Sequence, residues 1–194
     1  MRKFSLTVLL LCAFVGSFAQ IQPNEEPIML GEAQPEWNEK LHYGGNIWAG
    51  FFGSFYLDAS PMIGYDITKK GTVAGLGASL IYQGQWKGDG VFAGGPRLFV
   101  RQAIWRSFFA HAEYEMINAE SDDFYGSNAI NDNSRKWGGS PLVGVGLYQG
   151  GQGQQKGSFI SVMYNLGYPY NGFISPQGLG GNQSPIVLRF GFFF

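Results

Sequence analysis

From Leu41 to Phe194 apolar and polar side chains alternate residue by residue, and no stretch carries the spacing of a helix. A period of two puts all the apolar residues on one face of an extended strand. Between Ser54 and Ile67 one face reads Phe55, Leu57, Ala59, Pro61, Ile63, Tyr65 and Ile67, and the other Ser54, Tyr56, Asp58, Ser60, Met62, Gly64 and Asp66. The same pattern predicts strands over about 41–52, 54–67, 73–84, 92–103, 107–118, 141–149, 158–168 and 186–194. Eight such strands in sequence predict an all-β fold, an eight-stranded antiparallel up-and-down barrel.

The alternation leaves open which face meets solvent. A soluble barrel turns its apolar face inward, and a transmembrane barrel turns it outward. Three features favour the transmembrane arrangement. The polar faces are poor in charge, in a chain only 14% charged, and rich in glycines that suit a narrow interior: Gly44, Gly50, Gly64, Gly75, Gly77, Gly144, Gly146 and Gly191. The apolar faces end in aromatics. Tyr43, Tyr65, Phe108, Phe192 and Phe194 fall at one rim, and Phe51, Phe55, Tyr82, Trp86, Tyr168 and Tyr170 at the other. The chain also stops on Phe194, with Phe190 and Phe192 on the same face. Loop lengths agree. Thr68–Thr72 and Trp105-Arg106 are short, while Ala119–Ser140 and Pro169–Pro185 are long and fall at the opposite end. No apolar run is long enough for a transmembrane helix.

Residues 1–19 read as a removable secretory signal: Arg2 and Lys3, an apolar run from Leu6 to Val15, then Ser17 and Ala19 before a cut near Ala19-Gln20. A lipoprotein signal through Cys12 is disfavoured by bulky Leu11 before it. Cleavage leaves 13 − 2 = 11 basic residues against 14 acidic, a net charge of −3 with no cysteine. That balance, with no Lys/Arg cluster, excludes a basic nucleic-acid binder, and the lack of cysteine excludes a disulfide scaffold. Residues 20–40 carry Glu25, Glu26, Glu32, Glu36 and Glu39 with Pro23, Pro27 and Pro35. They predict an acidic periplasmic arm ahead of a barrel over 41–194, a solvated leader or a docking segment for a periplasmic partner.

The terminal Arg189-Phe190-Gly191-Phe192-Phe193-Phe194 resembles the last strand of bacterial outer-membrane proteins. The resemblance implies that Phe190, Phe192 and Phe194 serve as the signal read by the barrel-assembly machinery. Gly44-Gly45-Asn46, Ser60-Pro61-Met62-Ile63-Gly64-Tyr65, Gly75-Leu76-Gly77, Ile81-Tyr82-Gln83 and His111-Ala112-Glu113-Tyr114-Glu115, in that order, are similar to a family of small eight-stranded outer-membrane β-barrels of an uncharacterised Bacteroidota type. That family implies an address in the outer membrane of a Gram-negative bacterium, among lipid and lipopolysaccharide. It implies no activity.

Inward parity collects Arg97 and Arg101 on the fourth strand and His111, Glu113 and Glu115 on the fifth. A hairpin centred on Trp105-Arg106-Ser107 sets Arg97 opposite Glu115 and Arg101 opposite His111, with Glu113 diagonal to both arginines. Asp58 and Arg189 are candidates to join them. The expectation is a salt-bridged plug, because an eight-stranded lumen is only wide enough for side chains. His111 with Glu113 or Glu115 is also acid–base material, but no inward serine accompanies it and no catalytic residues are assigned. Glu120, Asp122, Asp123 and Asp132 with Asn128, Asn131 and Asn133 lack the ordered spacing of a calcium loop. No Lys-Ser/Thr pair follows Gly75-Leu76-Gly77 or Gly150-Gly151, so neither is a phosphate loop. No metal and no cofactor are expected. The reading is a non-enzymatic barrel with a structural or accessory role. The alternatives are a small channel or lipid-handling barrel, then a lipid A-modifying enzyme.

Overall fold

The computed structural model describes residues 37, 39–51, 55–84, 90–126, 134–149, 156–179 and 184–194. The signal segment 1–19, the arm apart from Trp37, Glu39 and Lys40, and Trp86 lie outside the described residues. Eight strands, β1 (Leu41–Phe51), β2 (Phe55–Thr68), β3 (Thr72–Gly84), β4 (Val91–Trp105), β5 (Phe108–Glu120), β6 (Arg135–Gln149), β7 (Gly157–Asn165) and β8 (Ile186–Phe193), form one closed barrel. Neighbours in sequence are neighbours in space, every pair is antiparallel, and β8 returns to β1. The end where β1 begins and the chain finishes is called the near end.

Side-chain parity sorts the residues as the alternation requires. Ile47, Ile63, Leu76, Leu98, Tyr114, Val145 and Val162 point outward and are exposed, while Asp58, Arg97, His111, Glu113, Glu115 and Arg189 point inward and are buried. Among the described strand residues the outward face carries two charges, Glu120 and Arg135, register partners at the far rim. The inward glycines make room for rings: a Cβ on Gly75 would lie 2.6 Å from the Phe99 ring, and one on Gly146 2.2 Å from that of Phe109.

Proline interrupts two ladders. Pairing of β2 with β3 skips from Asp58↔Ile81 to Met62↔Gly77 around Pro61, and that of β4 with β5 from Gly94↔Asn118 to Arg97↔Glu115 around Pro96. Register is kept across both gaps, since proline lacks only the N–H of one rung.

Two strand boundaries differ from the sequence reading. β6 starts at Arg135 rather than 141, so the β5–β6 connection spans 121–134, and Trp137 becomes an outward strand residue. Gly138, Gly139 and Ser140 offer no apolar contrast, but they pair with Ile117, Met116 and Glu115 of β5. β7 ends at Asn165 rather than 168. The Asn165 side chain accepts from Gly167 N–H at 2.9 Å and a turn follows, leaving Tyr168 and Tyr170 on the far connection.

Candidate functional site: the charged layer of the lumen

The lumen has three layers. At the near end Val73, Phe99, Phe109, Tyr148, Phe159 and Phe193 form an aromatic layer. At the far end Tyr56, Ile81, Ala93, Ile117 and Ala119 of the strands meet Phe124 and Phe173 of the connections. Between them lie the charges.

The β4–β5 hairpin turns tightly at Arg106, which adopts φ 50°, and Trp105 stacks on Phe108 with centroids 6.0 Å apart. Its register sets Arg97 opposite Glu115 and Arg101 opposite His111. Arg97 pairs with Glu115, approaches Glu113 Oε1 at 3.5 Å through Nε, and donates to Ser79 Oγ at 2.7 Å through NH2. Ser79 Oγ in turn donates to Glu115 Oε1 at 2.9 Å. From β8, Arg189 donates through NH2 to Glu113 Oε1 at 3.0 Å and Glu115 Oε1 at 2.7 Å, and its NH1 lies 3.5 Å from Asp58 Oδ2. Asp58 also accepts from Ser60 Oγ and, at 2.8 Å, from Gln177 Nε2. Two guanidinium groups thus interlock with three carboxylates, all buried. Residues shielded from water need this mutual compensation.

Arg101 and His111 stand apart. Arg101 makes no ion pair among the described residues, and Glu113, expected to reach both arginines, turns to Arg97 and Arg189 instead. The Arg101 guanidinium sits between the rings of Phe99, Phe109, Phe159 and Phe193, 4.1 to 5.3 Å from their centroids, and donates to Tyr148 Oη at 3.0 Å. Cation–π attraction grows when the cation is desolvated, so the cage supplies what a carboxylate does for Arg189. Arg101→Met is expected to cost about 1–2 kcal/mol, since the thioether keeps sulfur–aromatic contacts; chemical unfolding of both proteins in the same detergent checks it. His111 Nε2 lies 3.5 Å from Glu113 Oε2 without a hydrogen bond. His42 lies at the near mouth, 3.0 Å from Asp66. No serine hydrogen-bonds to either histidine among the described residues.

The cage and Gln177, on the connection before β8, were missed in the sequence. Phe109 and Phe193 neighbour outward aromatics, so parity was their only signal; Gln177 lies in a connection and carried none.

At the far end the two long connections are stitched together. Phe124 bridges Phe173, Ile174 N–H donates to Asp123 O at 2.8 Å, and Tyr125 Oη donates to Ser184 O at 2.7 Å. Burial, then the neighbouring carboxylates Glu120 and Asp122, pushes the Asp123 carboxyl above its ordinary value. Asn128, Asn131, Asp132 and Asn133 lie outside the described residues, and among those described no three metal-ligating side chains gather.

The arrangement binds charge to charge across the barrel: a single interlocked layer between two apolar ones. No protein-family model, no curated protein and no solved structure matches this chain.

Proposed function

We propose that this chain is an integral outer-membrane β-barrel with a structural or accessory role and no enzymatic activity, its lumen closed by the polar plug. The observation that carries the reading is the sorting of charge: within a closed barrel the interior holds most of the charged strand residues, and the described outer wall is uncharged but for the rim pair Glu120 and Arg135. A water-soluble barrel has no reason to expose Ile47, Ile67, Leu76, Leu98, Val145 and Val162 while burying three arginines. Hydrocarbon requires a sheet to close on itself, and β8 returns to β1 over Gly44–Asn46.

In this reading the near end faces the periplasm, the acidic arm of residues 20–40 is a docking segment for a periplasmic or membrane partner, and the connections over 121–134 and 166–185 are extracellular. Outer-membrane lipid and lipopolysaccharide surround the wall, and Phe190, Phe192 and Phe194 are read by the assembly machinery during biogenesis. Among the described residues no serine hydrogen-bonds to His111 as a nucleophile for it to activate, which argues against lipid A chemistry. Fractionation of expressing cells should place the protein in the outer membrane as a band whose gel mobility changes on heating, and recovery as a soluble periplasmic protein would refute the reading. The plug predicts closure. In planar bilayers the purified full chain is expected to show no stable open conductance, and a long-lived open level would remove the plug from the account.

A further inference from the structure

β1 and β8 meet over only part of their length. Their register runs Gly44↔Phe193, Gly45↔Phe192 and Asn46↔Gly191, with Tyr43 and Phe194 exchanging backbone bonds at 3.0 and 2.9 Å. β7 and β8, in contrast, stay paired from Gly157↔Phe193 to Tyr164↔Ile186. Past Asn46, β1 continues to Phe51 and β8 back to Ile186 with no further register pair between them.

The far part of that β8 edge is taken by the connection that precedes it. Gly178 bridges Val187, Leu188 N–H donates to Gln177 O at 3.3 Å, and Leu179 N–H donates to Ile186 O at 2.8 Å. The Gln177 side chain turns inward to Asp58 Oδ2, 2.8 Å away. Residues 175–179 therefore form a strap, tied to the β8 backbone on one side and to the charged layer on the other. Where the ladder stops, Trp48 of β1 stacks on Phe190 of β8 with centroids 5.0 Å apart and 21° between planes.

The outer side of this gap is apolar, and the inner side is apolar on the far side of Arg189, which β8 turns into the charged layer. Outside lie Ile47 and Phe51, exposed, and inside, behind Trp48, lies the far apolar layer of Tyr56, Ile81 and Ile117. The charged layer begins only at Asp58, the register partner of Trp48. A strand edge without a ladder is costly in hydrocarbon, so the wall is weakest where a few strap bonds stand in for a full seam. We propose that the far half of the β1–β8 seam is a lateral opening through which one acyl chain of a surrounding lipid enters the far apolar layer, and that the strap closes it through its bonds to Asp58 and β8. The proposal rests on the membrane reading above and names what that wall admits. An entering chain parts Trp48 from Phe190 and lies on the far side of Asp58 and Arg189, against Tyr56, Ile81 and Ile117, while its head group stays outside.

Trp48 reports on the opening. With Trp37, Trp86, Trp105 and Trp137 changed to Phe, the full chain is reconstituted into vesicles of phosphatidylcholine brominated on its acyl chains, whose bromines quench on contact. Gln177→Ala removes the tie to Asp58, and Leu179→Pro removes the N–H that holds β8. Losing one hydrogen bond shifts an open–closed equilibrium by roughly two- to tenfold, and quenching of Trp48 by bromolipid is expected to rise in proportion in both variants, with acrylamide quenching unchanged. Equal bromolipid quenching in all three proteins overturns the opening. So does a rise in acrylamide quenching instead, which would mean that water enters. Each variant is read only from barrels with heat-modifiable mobility, so either variant decides the question if the other fails to fold. Failure of the parent chain to float with the vesicles overturns the membrane reading itself, whereas insertion with unchanged quenching overturns the opening alone.

Discussion

Arg189→Ala is expected to destabilise the barrel by about 3–5 kcal/mol, the cost of leaving buried charges without their partner. Arg189 is 2% exposed and touches three carboxylates from two other strands, Asp58 on β2 and Glu113 and Glu115 on β5. With it gone, Arg97 alone faces those three acids, and one guanidinium cannot reach all of them. Arg189→Lys should recover only part of the loss, because a single ammonium does not reproduce the separate NH1 contact to Asp58 and NH2 contacts to Glu113 and Glu115. Denaturant titration in detergent, followed by tryptophan fluorescence and gel mobility, measures the series. The comparison with Arg101→Met is the decisive one. Both arginines are fully buried, but only Arg189 is held by carboxylates, so equal losses in the two would show that the interlocked layer is not what stabilises the lumen.

The second large effect lies on the other side of the wall. Leu98→Arg is expected to cost about 2–4 kcal/mol in a bilayer, the penalty for a cation on the lipid face near the midplane. Leu98 is 54% exposed near the middle of β4, paired with Leu76 on β3 and Tyr114 on β5. On a water-exposed surface the same change would fall within about 0.5 kcal/mol, because an exposed Leu there has little to lose. Gln149→Arg, at the exposed near end of β6, serves as the control, with an expected cost of about 0–1 kcal/mol at a membrane interface. Unfolding from vesicles separates the outcomes. A Leu98→Arg barrel as stable as its parent would place the outer wall in water.

Much of the fold was legible because strand parity is a local property. Each residue declares its face by its neighbours two positions away, and a hairpin centred on Trp105-Arg106-Ser107 is the one that keeps inward residues opposite inward ones, so Arg97↔Glu115 and Arg101↔His111 could be counted off along the chain; the ladder reaches that register through a shift between Ala103 and Trp105 beside the turn. The start of β6 was not legible, since Gly138-Gly139-Ser140 have no contrast to alternate and are held by β5 alone. Nor was the partner of Arg101. Glu113 was within reach by sequence distance, but Arg189 arrives from a strand 76 residues away and takes Glu113 Oε1, while four phenylalanines from β4, β5, β7 and β8 close around Arg101.

By itself the sequence determined an eight-stranded antiparallel barrel, which residues share its interior, and how β4 faces β5, because these follow from a period of two and a tight turn. Only the tertiary structure decided which charge meets which across the lumen, which arginine is caged by rings, and where the β1–β8 seam stops. Those depend on closure, which brings strands distant in sequence to one height, and on a connection folding back to bind Asp58 and the edge of β8. No local pattern encodes contacts that exist only once the wall has closed.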